Sequence, residues 1–158
     1  MQRVIFDTAG FLAGLQNLYE EVYTTNEVLD EVKDNLSNTL LSYSLEAGKV
    51  KVIEPSKESV SLVLSVSKLI GEYSLSRADI SIIALAIDLK PSIVITDDIS
   101  IINILNYLKI NYKTVKLRKI NIKQKTYKYI CKSCKREYII YYNECPICGG
   151  KLLKLQRE

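Results

Sequence analysis

The sequence predicts an α/β protein, a parallel sheet flanked by helices, followed by a small C-terminal module built on four cysteines. Two observations carry this. Short β-branched runs alternate with helical periodicity through residues 1–116, the pattern of strands linked by crossover helices. All four cysteines then fall near the C-terminus as Cys131-x-x-Cys134 and Cys145-x-x-Cys148.

The predicted strands are residues 3–6, 50–53, 93–96 and 112–116. Between them, residues 27–36, 40–47, 57–73, 77–89 and 99–108 place apolar side chains three and four apart, as amphipathic helices do. Gly48 is placed to end the second helix, Pro55 closes a strand, and Pro91 follows a helix end. Residues 1–116 thus read as one domain, 117–128 as a basic linker and 129–158 as a ribbon.

Two Cys-x-x-Cys knuckles supply the four soft ligands that a closed tetrahedral zinc site takes, so one structural Zn²⁺ is expected at Cys131, Cys134, Cys145 and Cys148. Two disulfides, which need an oxidising compartment, or four unrelated thiols are the competing uses of these residues. The strand pattern at residues 3–6 leaves no room before it for a secretory leader, so a cytoplasmic location is expected. Apolar runs such as residues 80–87 are too short to cross a bilayer, and no membrane partner is expected. A module this small needs the metal to fold. Because zinc has no open coordination position here, chemistry must be sought in the larger domain.

Charge is divided along the chain. Residues 1–108 carry eight basic and fifteen acidic side chains; residues 109–158 carry fourteen basic and three acidic. Such asymmetry points to a C-terminal segment that meets a polyanion. Lys119, Lys123, Lys125, Lys128, Lys132, Lys135 and Arg136 are candidate phosphate contacts, interleaved with Tyr127, Tyr129, Tyr138, Tyr141 and Tyr142. Cations beside aromatics suit single-stranded nucleic acid, whose bases stack while its phosphates pair. A solvated linker and tyrosines that pack the ribbon would give the same composition.

Several acids fall at strand ends and helix starts. Asp7 follows the first strand, Asp97 and Asp98 follow the strand at 93–96, and Asp79 lies in the first turn of the helix opened by Ser76. In a parallel sheet these places lie at the carboxyl edge, where ligand sites form; Glu31 is placed to reach the same edge. Each acid also fits a structural role: Asp79 in a Ser-x-x-Asp capping box, Asp97 or Asp98 as an N-cap, Glu31 on a helix surface. Carboxylates brought together repel one another unless cations neutralise them, and hard oxygen ligands favour Mg²⁺ or Mn²⁺. The chain has no histidine, which excludes imidazole acid-base chemistry.

The stretches Val4-Ile5-Phe6-Asp7-Thr8, Val28-Leu29-Asp30-Glu31-Val32, Leu75-Ser76-Arg77-Ala78-Asp79 and Val94-Ile95-Thr96-Asp97-Asp98 resemble, in order and spacing, the motifs of PIN-domain ribonucleases. That resemblance implies a fold that gathers Asp7, Glu31, Asp79 and Asp98 around one or two Mg²⁺ or Mn²⁺ ions to hydrolyse single-stranded RNA. Thr8 and Thr96 are the supporting hydroxyls and Asp97 an additional acid. With the four-cysteine ribbon added, the chain is similar to the archaeal NOB-one (NIN-one-binding) family. The likeness implies an endonuclease that trims the 3′ end of the small-subunit rRNA precursor in a pre-ribosomal particle. A toxin-type PIN ribonuclease, a non-catalytic assembly factor and a zinc-ribbon transcription factor are the alternatives.

Overall fold

The computed structural model describes residues 1–116 and 127–156. Five short strands, β1 (Arg3–Phe6), β2 (Val22–Thr24), β3 (Val50–Val52), β4 (Ser92–Ile95) and β5 (Asn111–Lys113), form one all-parallel sheet in the order β3-β2-β1-β4-β5. The chain winds outward from β1 through β2 to β3, then returns to the other side of β1 for β4 and β5. The strand order therefore reverses between β1 and β4, and a crevice opens beyond their carboxyl ends. β1 and β4 pair in register from Arg3↔Ser92 to Phe6↔Ile95. Ile5, Phe6, Val94 and Ile95 are buried because this strand pair lies at the centre of the sheet.

Six helices connect the strands: α1 (Thr8–Leu12), α2 (Asn26–Glu31), α3 (Asn35–Glu46), α4 (Lys57–Ile70), α5 (Arg77–Asp88) and α6 (Ile99–Tyr107). α5 is the most deeply set, with Ile82, Ile83, Ala84, Leu85 and Ala86 fully buried. Its start is fixed by a reciprocal capping box between Ser76 and Asp79. No helix among the described residues is long and apolar enough to cross a membrane.

The elements depart from the sequence expectation in four places. Residues 27–36 are not one helix: α2 stops at Glu31, and Asp34 begins α3 by accepting from the Ser37 N–H at 2.8 Å. The helix expected over 57–73 ends at Ile70, because Gly71 takes the left-handed conformation (φ 74°) that closes a helix. The strand expected over 112–116 ends at Lys113. Beyond it the Val115 and Lys116 amides leave the ladder and donate to Asp97 Oδ1 at 2.8 and 3.2 Å. β2 and α1 were not expected at all.

The C-terminal residues form a second sheet, antiparallel, of β6 (Tyr127–Cys131), β7 (Glu137–Tyr138) and β8 (Leu152–Gln156) in the order β7-β6-β8. β6 begins two residues before the boundary placed at 129.

Candidate metal centres and nuclease site

Asp7 leaves β1 directly into the crevice and is only 7% exposed. It serves as N-cap of α1: its Oδ1 accepts from the Thr8 N–H at 2.7 Å, while Oδ2 accepts from the Thr96 hydroxyl at 2.8 Å. Thr96, fully buried at the end of β4, also accepts from the Asp98 N–H at 3.1 Å. One hydroxyl thus ties the ends of both central strands together. Burial pushes the Asp7 carboxyl up to about 6, against the lowering effect of the Thr96 and Thr8 bonds, and the nearby Asp79 and Asp98 raise it further.

Asp98 is the N-cap of α6, with Oδ1 accepting from the Ser100 and Ile101 amides at 2.7 and 3.3 Å. Asp79 spends Oδ2 on the Ser76 N–H at 2.7 Å. Its carboxyl is raised by burial, an effect lessened by Ser76 and reinforced by the charges of Asp98 and Glu31. Glu31, the last residue of α2, accepts from the Thr8 hydroxyl at Oε2, 3.1 Å away. α2 is itself anchored by Thr25, its N-cap, whose hydroxyl lies 2.7 Å from that of Ser81 on α5.

Asp7, Glu31, Asp79 and Asp98 therefore converge, with Asp79 within electrostatic reach of the other three. The capping roles are real, and each carboxylate keeps lone pairs beyond the bonds named above. Asp97 does not join them. Its side chain is turned to the chain after β5, where it holds Val115 and Lys116. The donor set is all oxygen, which fits Mg²⁺ or Mn²⁺. Among the described residues only the four thiols form a tight group of three or more potential ligands. The acids are more widely spaced, as suits a cation that keeps part of its water shell.

The thiols of Cys131, Cys134, Cys145 and Cys148 are unbridged, and their sulfurs all lie within 4.8 Å of one another. Cys131 and Cys148 sulfurs are 3.4 Å apart and those of Cys134 and Cys145 3.6 Å. A Zn–S bond of about 2.3 Å gives a tetrahedron edge of about 3.8 Å, so the cage fits zinc. The Tyr138 hydroxyl, 3.0 Å from Cys145 Sγ, and the Cys148 and Ile147 amides bring that thiol down to about 6. Backbone N–H groups of Cys134 and Ser133 likewise lower Cys131. The two knuckles repeat one geometry: Cys131 N–H donates to Arg136 O and Cys145 N–H to Gly150 O, with Lys135 (φ 60°) and Gly149 (φ 70°) at matching left-handed positions.

Of the basic candidates, Lys132, Lys135 and Arg136 are exposed on the first knuckle. Lys128 pairs with Glu137 at 3.0 Å. Lys119, Lys123 and Lys125 lie outside the described residues. Several tyrosines have structural work instead: Tyr129 is 1% exposed, Tyr138 faces Cys145, and Tyr127 lies 3.9 Å beneath the Lys154 ammonium. No motif marks Glu72 and Tyr73, which lie on the turn after α4 where the ribbon contacts the larger domain.

A parallel sheet whose switch point gathers carboxylates from β1, α2, α5 and α6 defines the PIN-domain class, and residues 4–89 match the family model described as the PIN domain of ribonuclease. The chain is 36% identical to Endoribonuclease Nob1 of Pyrococcus abyssi, the match covering 99% of this chain and 95% of that protein. It is 33% identical to Endoribonuclease Nob1 of Methanocaldococcus jannaschii, covering 96% and 77%. A shorter match, 37% identical, covers 48% of this chain and 17% of the 20S-pre-rRNA D-site endonuclease NOB1 of Saccharomyces cerevisiae. The chain belongs to the Nob1 endoribonuclease family.

Proposed function

We propose that this protein is a cytoplasmic, metal-dependent endoribonuclease that cuts single-stranded RNA and matures the 3′ end of the small-subunit rRNA precursor within a pre-ribosomal particle. The observation that carries the proposal is the convergence of Asp7, Glu31, Asp79 and Asp98 at the switch point of the sheet. The names of the relatives support the substrate class. When bound, one or two Mg²⁺ or Mn²⁺ ions would supply Lewis-acid activation of water and positive charge opposite the scissile phosphate. Asp7, Asp79 and Asp98 would hold the cation, while Thr96 and Thr8 fix Asp7 in its rotamer. Glu31, steadied by the Thr8 hydroxyl, orients the water that attacks.

In this reading residues 1–116 form the nuclease and 117–128 the linker. Residues 129–158 form a ribbon whose zinc, held by Cys131, Cys134, Cys145 and Cys148, is structural. Lys132, Lys135 and Arg136 on the first knuckle, with Lys128 beside them, offset the repulsion between RNA and the acidic crevice. The test is cleavage of pre-rRNA fragments in Mn²⁺ by wild type and Asp79→Asn. Wild type should cut and the variant should not, while both bind RNA. Cleavage by Asp79→Asn at the wild-type rate would reject the assignment.

A further inference from the structure

The ribbon meets the larger domain at the turn after α4, and the same turn leads into the acidic site. Tyr73 on this turn packs against two ribbon rings, Tyr141 at 5.0 Å and Tyr129 at 6.1 Å between centroids, and those two lie 5.4 Å apart. The Lys154 ammonium is 5.0 Å from the Tyr73 ring. Contact is close enough that a Cβ on Gly71 would lie 2.6 Å from Tyr129 Oη and 2.8 Å from Tyr127 Cβ. The glycine thus serves the docking as well as the helix end.

Beneath these rings Glu72 is 5% exposed, and its carboxylate is held on both sides. The Ser74 hydroxyl donates to Oε1 at 2.6 Å and Asn103 Nδ2 to Oε2 at 3.2 Å, while the Ser67 hydroxyl donates to the Glu72 carbonyl. From here two short paths reach the site. Ser74 Oγ is 2.8 Å from Ser100 Oγ, and the Ser100 amide donates to Asp98 Oδ1 at 2.7 Å. Along the chain, the turn runs through Leu75 to Ser76, whose amide holds Asp79 Oδ2 at 2.7 Å.

We propose that the ribbon is a positioning element of the nuclease site: docking of Tyr129 and Tyr141 on Tyr73 fixes the 71–76 turn, and Glu72 passes that constraint to Asp98 and Asp79. An exposed turn between two helices is ordinarily among the least rigid parts of a fold. Here a ring cluster covers it and a buried, multiply bonded carboxylate pins it to α6. Glu72 and Tyr73 are positioning residues, since neither faces the crevice acids directly. The inference rests on the nuclease reading for what the positioned acids do, but cation binding tests it without cleavage.

The full zinc-loaded chain is compared with Tyr73→Ala, Tyr73→Phe and, from the ribbon side, Tyr141→Ala. Mn²⁺ binding is followed by the paramagnetic resonance signal of the free ion, zinc content by absorption, and single-turnover cleavage across RNA concentrations. Both alanine variants, with zinc retained, should weaken Mn²⁺ binding several-fold and lower kcat roughly tenfold, the scale expected when catalytic groups are slightly misplaced. Tyr73→Phe should retain both, because the rings make the contact and the Tyr73 hydroxyl donates to the exposed Lys68 carbonyl, 3.3 Å away, rather than toward the acids. Wild-type Mn²⁺ affinity in both alanine variants, with only KM raised, would overturn the proposal and leave the ribbon as an RNA handle. A wild-type protein that binds Mn²⁺ but cuts no RNA would defeat the nuclease reading instead, and the Mn²⁺ affinities would still decide the coupling.

Discussion

Asp7 is held in a place that disfavours its own charge, and this cost is measurable. Its carboxyl titrates at about 6 in the fold against 3.8 for the free side chain. A group whose pKa is raised by folding favours the native state only while protonated. The stability it confers is complete below 3.8 and is lost as pH rises through about 6. At about 1.36 kcal/mol per pKa step, ionised Asp7 destabilises the cation-free protein by about 3 kcal/mol at pH 8 and by about half that at pH 5. Asp7→Asn removes the charge and keeps an oxygen for the Thr8 amide. It places an amide NH₂ opposite Thr96, a loss of about 1 kcal/mol. The variant should therefore be about 2 kcal/mol more stable than wild type at pH 8, an advantage that has mostly gone at pH 5. Urea unfolding at the two pH values, on zinc-loaded protein dialysed free of Mg²⁺ and Mn²⁺, measures this. Added Mn²⁺ should reverse the order, because it stabilises only the chain that binds it. An Asp7→Asn protein less stable than wild type at pH 8 without the cation would show that burial does not penalise the Asp7 charge.

Asp98→Asn should lose cleavage yet stay within about 1 kcal/mol of wild-type stability, since Asn caps helices as well as Asp; paired activity and denaturation assays separate the two effects. Cys145→Ser should abolish zinc binding and unfold the ribbon, seen as loss of stoichiometric zinc and of ribbon amide protection. Gly149→Ala should destabilise the ribbon by about 1 kcal/mol through its positive φ alone, because nothing lies within 4 Å of the added Cβ; zinc-dependent melting reads the change. If about five phosphates of a single strand are neutralised, log affinity for RNA should fall with log salt at a slope of roughly −3.5. A flat titration would rule that contact surface out.

What the sequence makes legible follows the range of the forces involved. Zinc ligands are local, three positions apart within each knuckle, and need no tertiary information. β1, β4 and α5 carry long enough apolar patterns to declare themselves, and Ser76-x-x-Asp79 marks where α5 starts. β2 is Val22-Tyr23-Thr24, set between Glu20-Glu21 and the polar Thr25-Asn26, so no apolar run marks it. α1 has five and includes Gly10, retained where a Cβ would lie 2.7 Å from the Phe6 ring. Asp97 and Asp98 are indistinguishable as sequence, each able to cap the following helix. Only the turn after β5 separates them, by drawing Asp97 away. Glu72 and Tyr73 carry no motif, because the rings around Tyr73 come from Tyr129 and Tyr141, more than fifty positions later, and the link from Glu72 to α6 comes from Asn103.

The capping role of the acids also changes the field that an approaching RNA meets. Asp7, Asp79 and Asp98 lie at the amino ends of α1, α5 and α6. Each helix directs the positive end of its dipole at the crevice, equivalent to roughly half a charge for a full-length helix. Counting four carboxylates therefore overstates how negative the site is. Peptide dipoles aimed inward let the acids stand close before any cation arrives, and they present a phosphate with a basin shallower than its formal charge implies.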